Sequence, residues 1–350
     1  SNNSDTTYSV RRTFVGTTNG SSVVTFTAGS NETFAAYSDT AYTCSILTAS
    51  GTGGAAAQGD VVALSASILG GETTSSLTVT DTSGIKDAAT IKLIATVLRA
   101  VAGHKTKTST KCKTITIGKD GSTSSYTSDI YGARVIDQEI GLTYADAYKL
   151  RAVYESTAIA TTPSVPTLTI ADRSNAFTAG ETITGSASAA KGVVIDNTSQ
   201  NTLTYVVTSG TFRTTDTITG GTTGNTATVS AIAAGSTVIT SSFTLDTGQR
   251  DSYYDISRIV KKPTALTPTG QLTVVFDYFA HSGTGDYFSV DSYTNQIDYE
   301  DIPDYSATKV DPETLAPKGF YELRDALDFR PRVADNSGAS TAPFSFSTRV

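Results

Sequence analysis

The sequence predicts an all-β, multidomain protein: an N-terminal β-sandwich, then a discontinuous β-rich domain carrying an inserted two-copy β-repeat. Three observations carry that prediction. Hydrophobic residues make up 38% and charged residues only 17% of 350 residues, with 29 Gly, 17 Tyr and no Met, and Thr, Ser, Gly and Ala fill the deficit, which favours pleated strands and tight turns over helices. Short β-branched runs recur at near-regular spacing through the first third of the chain. A 35-residue period then appears in the middle. The length exceeds what one domain usually holds, so two or three cores are expected.

From about residue 10 to residue 117 the runs 22–27, 41–47, 60–64, 76–79 and 90–97 read as strands punctuated by turn residues, a spacing that suggests an immunoglobulin-like sandwich of about seven strands over residues 1–120, with a short lead-in. The stretch 88–102 has the apolar count of a helix, but its β-branched residues alternate after Ser83 and Gly84, so it reads as a strand. Lys105, Lys107, Lys111 and Lys113 share one parity, which on a straight strand gives one basic side. Without interleaved aromatics for base stacking, the stripe reads as an edge strand guarded by Lys.

Residues 130–156 change character. Thr143 and Asp146 stand at capping-box spacing before Ala147, Tyr148, Lys149 and Leu150, which predicts a short helix or turn. Pro163 and Pro166 mark a linker. Beyond it, Phe177, Gly180, Glu181, Ile183 and Gly185 are echoed by Phe212, Thr215, Asp216, Ile218 and Gly220, and Leu168 with Leu203 and Ile170 with Tyr205 obey the same offset of 35. Each unit is one β supersecondary element that buries its apolar face on its neighbour. Two copies fall short of a free-standing solenoid, so the module at 163–238 is expected to lean on a host or to form a small β unit of its own. Residues 121–162 and 239–335 are read as one domain interrupted by it, and 336–350 as a linker or the start of a further segment. The chain itself reads as an excerpt or a processed product.

Charge and chemistry exclude more than they assign. A net charge of −7 disfavours nucleic acid, and the run 91–102, interrupted by Lys92 and Arg99, is too short for a membrane helix. Cys44 and Cys112 fit no metal-ligand spacing; they read either as a disulfide or, preferably, as two small buried hydrophobes. His104 and His281 have no nucleophile elbow and no carboxylate close by in sequence, and are expected at the surface or in turns. Between residues 286 and 313, Asp286, Asp291, Asp298, Glu300, Asp301, Asp304, Asp311 and Glu313 face Lys309 alone, a local −7 equal to the whole chain's charge. The spacing does not match an EF-hand loop. A glycosidase pair of Asp298 with Glu300 or Asp301 is the one enzymatic arrangement the segment offers. Tyr287, Tyr293, Tyr299 and Tyr305 recur every six residues there and read first as packing residues. No catalytic, cofactor-binding or metal-binding residue is assigned, and no cofactor is expected.

The C-terminal third carries a resemblance. The strings at 246–255 (Asp246, Arg250, Asp251, Tyr253, Tyr254, Asp255), 275–279 (Val275, Phe276, Asp277, Tyr278, Phe279), 285–293, 299–303 and 323–331 (Leu323, Arg324, Asp325 to Arg330 and Pro331), together with the stretch from Tyr131 to Ser156, resemble a domain of large virion structural proteins of marine cyanophages and related contractile-tailed phages, tail-fibre or baseplate components. The glycine-rich repeat resembles modules found in such fibres, although Thr215 and Asp216 stand where the first copy has Gly180 and Glu181. The resemblance implies a virion protein of the tail fibre or its baseplate attachment, without enzymatic activity. It implies self-association, as a homotrimer, and contact with other tail or baseplate proteins and with host-surface glycan or protein, while the net charge and the short apolar run already argue against nucleic-acid binding and membrane insertion. A bacterial surface adhesin and a glycan-depolymerising tailspike are the alternatives from other classes.

Overall fold

Strand alternation decides the local structure from the first element. In the computed structural model, which describes residues 7–49, 56–85, 88–100, 103–119, 131–196, 199–283, 285–294, 299, 302–307 and 319–333, the described residues form 24 strands and no α-helix. The chain divides into two units, Ser1–Gly103 and His104–Val350.

The first unit is a two-sheet sandwich. One sheet has the order β1 (Tyr8–Thr17), β8 (Thr90–Arg99), β4 (Tyr42–Thr48), β5 (Val61–Val62), with β3 (Glu32–Phe34) also paired to β8; the other runs β2 (Val23–Thr27), β7 (Ser76–Thr80), β6 (Leu69–Gly70). In β8, Ile91, Leu93, Ala95 and Val97 are fully buried while Lys92, Ile94 and Thr96 are half-buried. This period of two is why 88–102 is a strand despite its apolar content. Those four residues pack with Val24, Phe26, Phe34, Leu77 and Val79 in one core, each large side chain contributing about 1.5–3 kcal/mol on burial. Glu32 is buried beneath them and is neutralised by Arg12, whose Nε donates at 2.9 and 3.0 Å.

The second unit begins earlier than the sequence reading placed it. The strand Thr106–Ile117 (β9), assigned from sequence to a sandwich ending at residue 120, pairs antiparallel with β21 (Leu272–Ser282) over ten positions from Leu272↔Ile117 to Ser282↔Thr106. Here the strand order is β18 (Thr237–Val238), β11 (Ala147–Glu155), β21, β9, β22 (Tyr293–Thr294). A second sheet, β10 (Glu139–Ala145), β20 (Ile256–Lys261), β19 (Phe243–Asp246), lies against it. Ile115, Ile117, Val274, Phe276 and Tyr278 from the first sheet meet Ile140, Leu142, Phe243 and Ile259 from the second. Strands before and after residues 163–236 therefore share both sheets.

Two sequence expectations are corrected here. Thr143 and Asp146 do not cap a helix: 139–145 and 147–155 are strands, and both residues adopt left-handed backbone, φ 63° and 57°. Asp tolerates that conformation, and here it turns the chain from one sheet to the other. Nor do the four Lys residues line one face of an edge strand. β9 has neighbours on both sides, and at Lys111 and Cys112 two residues oppose Asp277 alone between the pairs Thr110↔Tyr278 and Lys113↔Phe276. This bulge, with Cys112 at φ 57°, reverses the parity of β9. Lys105 and Lys107 are buried on one face, whereas Lys113 reaches Tyr144 on the other, its Nζ 5.1 Å from the ring. Asp277 holds the bulge, accepting the Cys112 N–H at 2.8 Å and Arg151 Nε at 2.8 Å.

The repeat closes into a six-stranded barrel of order β12 (Thr167–Ala171), β15 (Thr202–Ser209), β14 (Lys191–Asp196), β13 (Thr182–Gly185), β16 (Thr217–Gly220), β17 (Thr226–Ala233), with β17 returning to β12. Every strand of the first copy begins 35 residues before its counterpart, at 167 and 202, 182 and 217, 191 and 226. Closure removes sheet edges, which is how two copies suffice. Phe177 and Phe212, the first residues of the motif, are both buried in the barrel core. The motif's acids exchange partners. Glu181 accepts the Thr178 N–H of its own turn at 2.5 Å and, from the other copy, the Thr222 and Thr223 N–H groups at 3.2 and 3.1 Å and the Thr223 hydroxyl at 3.0 Å. Asp216 accepts the Arg213 N–H at 2.7 Å and, from the first copy, the Ala187 and Ser188 N–H groups at 2.8 Å each and the Ser188 hydroxyl at 2.6 Å. The terminal Gly of each motif makes room for the other copy's acid: a Cβ on Gly185 would lie 2.7 Å from Asp216 Oδ2, and one on Gly220 2.5 Å from Glu181 Oε2.

The barrel also leans on its host. Val193 and Val206 pack with Cys112, Ala152, Tyr154 and Val275 on the sheet face opposite the sandwich core, and Gly180, at φ 85°, lies where a Cβ would approach that of Lys111 to 2.5 Å.

Candidate functional site: a buried ionic row

Three neighbouring strands put three ionisable side chains in a row. Lys107 on β9 stands opposite His281 on β21, and Asp146 precedes β11 on the far side of β21, its carbonyl accepting the Phe279 N–H at 3.1 Å. The Asp146 carboxylate receives both neighbours on one oxygen, Lys107 Nζ and His281 Nε2 each lying 2.7 Å from Oδ2, while Gln249 Nε2 donates to Oδ1 at 3.3 Å. The Lys107 and His281 side chains are fully inaccessible, and that of Asp146 is 1% exposed.

Aromatic rings and a second ion pair enclose the row. Lys107 Nζ lies 4.3 Å from the centre of the Tyr254 ring and 4.8 Å from that of Phe288, and Lys105 Nζ lies 4.5 Å from the Phe288 ring. The Tyr254 hydroxyl accepts from Lys107 Nζ at 2.9 Å and from Arg330 at 2.9 Å, and donates to Asp328. Arg330 in turn grips Asp328 through Nε and Nη2 at 2.9 Å each. The covering segment is fixed by backbone bonds: Phe288 and Asp328 exchange N–H donors at 2.8 Å, and Tyr254 donates to the Pro331 carbonyl at 2.7 Å.

Burial sets the protonation states. It pulls His281 down to about 4, further than the Asp146 hydrogen bond raises it, so the imidazole is neutral at neutral pH and its Nε2 carries the proton. Burial also lowers Lys107 against the pull of Asp146, and takes Lys105 down to about 8 against the pull of Asp328. Burial raises Asp146, but Lys107 and His281 overcome it and hold the carboxyl well below its ordinary range. Tyr254 is pushed far above 10 by burial and then by the carboxylates of Asp328 and Asp146. Chemically, the row is a carboxylate shared between an amine and a neutral imidazole, in a dry aromatic enclosure. Among the described residues no group of His, Cys, Asp and Glu could hold a metal ion.

The structure overturns the expectation for His281, which is neither at the surface nor in a turn; it lies inside β21, 2% exposed, with its Nδ1 buried and unpartnered. A carboxylate orienter is present after all, but 135 residues away in sequence. His104 is half-buried and bridges to Tyr287. Cys44 and Cys112 are free, buried and in different units. Of the acidic segment, Asp298, Glu300, Asp301, Asp311 and Glu313, and with them the glycosidase pairing, lie outside the described residues; Asp286 is buried, whereas Asp291 and Asp304 are exposed. Tyr287 and Tyr305 are buried, Tyr293 is half-buried, and Tyr299 is exposed with its hydroxyl on Asp325 at 2.8 Å. Gln249, Tyr254, Phe279, Phe288, Asp328 and Arg330, from stretches far apart in sequence, converge on the row. One signal could have found His281: β21 is buried on both faces from Leu272 to Phe279, and a strand of that kind reads as an uninterrupted apolar run whose next residues are also interior. Comparison with protein-family models, with curated proteins and with solved structures finds no match to this chain.

Proposed function

We propose that this chain is a structural component of a phage virion, part of a tail fibre or of its attachment to the baseplate, acting through assembly and contact with the host surface. The observation that carries the reading is that the segments resembling cyanophage virion proteins, far apart in sequence, meet around one buried ionic row that is fully shielded from solvent. Groups buried in mutual pairs suit a structural framework better than an enzyme's active site, which must admit a substrate from outside. The barrel supports the same reading, as a closed module mounted on a host sheet. In this reading the partners are further copies of the chain, as a homotrimer, and neighbouring tail or baseplate proteins. Immunogold electron microscopy with antibody against residues 163–238 tests it. Label on tails or fibres of intact particles is the expected result; bare particles beside labelled cell envelopes would overturn it in favour of a bacterial adhesin.

A further inference from the structure

We propose that Lys107 and Asp146 join through an intramolecular amide, Nζ to Cγ, so that the mature chain carries a covalent cross-link between β9 and the corner preceding β11. The geometry is that of a reactant pair. Lys107 Nζ already touches Asp146 Oδ2 at 2.7 Å, with both side chains sealed from water. Other buried or half-buried pairs of the molecule, Arg12 with Glu32, Arg151 with Asp277 and Arg330 with Asp328, present guanidinium groups, which are poor nucleophiles; Lys107 presents an amine.

The neighbours supply what amide formation needs. A lysine attacks only as the free amine, and although the ring faces of Tyr254, Phe288, Phe279 and Tyr293 and the Asp146 carboxylate attract the ammonium, the loss of water around Nζ outweighs them and shifts the group toward the uncharged form. The Tyr254 hydroxyl accepts a hydrogen bond from Nζ and passes its own to Asp328, a path along which the amine can shed a proton. His281 Nε2 points at Oδ2, the oxygen that must depart, and donates to it as charge builds there; its unpartnered Nδ1 leaves the ring free to pick up a proton as the other leaves.

The step balances without a co-reactant. The Nζ–Cγ bond forms and the Cγ–Oδ2 bond breaks. Two of the three ammonium protons depart with Oδ2 as one water, and the third remains on the amide nitrogen. No oxidation state changes. The product removes two charges from an interior where each is costly to hold, and closes a covalent loop across a separation of 39 residues.

Intact-mass spectrometry of the purified, denatured full chain tests this directly. The expected mass is one water below that of the sequence. Trypsin should then fail to cut at Lys107 and release a branched peptide in which residues 106–111 are joined to residues 135–149. The K107R variant should regain the full mass, and H281A should show a mixture of closed and open chains at times when the wild type is closed. A wild-type chain of full mass would overturn the proposal, whether or not any variant folds. So would a missing water that maps to a single linear peptide or a chain that takes up hydroxylamine as a hydroxamate, the signature of a succinimide, and so would a K107R chain that still lacks the water.

Discussion

Replacing Asp216 by Asn changes one oxygen for an amide nitrogen in a side chain that is 1% exposed. Asp216 Oδ1 accepts the Ala187 and Ser188 N–H groups, and Oδ2 accepts the Arg213 N–H and the Ser188 hydroxyl. An asparagine keeps its oxygen toward the two N–H groups of the other copy. Its amide then faces a hydroxyl, which can turn round and accept, and the Arg213 N–H, which cannot. One buried donor is orphaned, at about 1–3 kcal/mol, and the remaining bonds lose their ionic character; together these cost about 3 kcal/mol. That is roughly two decades in the opening equilibrium, so amides of residues 182–196 and 217–233 should exchange with solvent about 100-fold faster in D216N, while those of the first unit keep wild-type rates. Hydrogen exchange read by mass spectrometry measures both regions at once. The pH dependence adds a second check. Burial raises the Asp216 carboxyl, but hydrogen bonds from Ser188, Arg213 and Ala187 outweigh it and lower the group from 3.8. A depressed native value means stability that is complete above about pH 4 and is lost as the pH falls through the native value. D216N should lack that acid-dependent loss in the barrel. Unchanged exchange in D216N would refute the reasoning that the swapped carboxylates hold the two copies together.

G220A forces a methyl to within 2.5 Å of Glu181 Oε2 and should destabilise the barrel by about 1–3 kcal/mol, typical of overpacking, read as a lowered denaturation midpoint; a wild-type midpoint would mean that the carboxylate moves aside freely. His281 should titrate near 4 rather than 6.5 by NMR. Because its native value is depressed, the stability it confers is complete above pH 6.5 and declines as the pH falls from 6.5 toward 4, and a midpoint at or above 6 would contradict its burial. Burial raises Cys44 to about 11 and Cys112 to about 12, so a thiol-specific reagent at pH 8 should label neither in the native chain and both after denaturation; rapid native labelling would show that one of them is accessible.

The repeat was legible because its determinants are local and periodic. Offsets at Leu168 and Leu203, Phe177 and Phe212, and Ile183 and Ile218 map directly onto equivalent core positions. What the period could not convey is that Glu181 and Asp216 serve each other's copies, since that depends on how the strands close. Strand alternation likewise identified Thr90–Arg99 correctly. It failed for the Lys residues of β9 because one inserted residue at Cys112 reverses the faces, and a bulge leaves little trace in an alternation pattern. Thr143 and Asp146 carry a genuine local preference for a helix start, but partners from β9, β21 and the segment around Gln249 overruled it. The ionic row was illegible for the same reason: Lys107, Asp146 and His281 acquire their chemistry only from a tertiary neighbour far along the chain.

The barrel leaves its host where it joins it. The Ser236 N–H donates to the Ser164 carbonyl at 2.8 Å, and the Ser164 N–H donates to the Ser236 hydroxyl at 3.0 Å, directly beside the pairing of Tyr154 with Val238. Two chain ends stitched together in this way can accept inserts of many lengths, or a short turn, without altering the register of the flanking strands. The host sandwich is thus a socket, and the residues between Ser164 and Ser236 form a cartridge that evolution or an engineer can exchange as one piece.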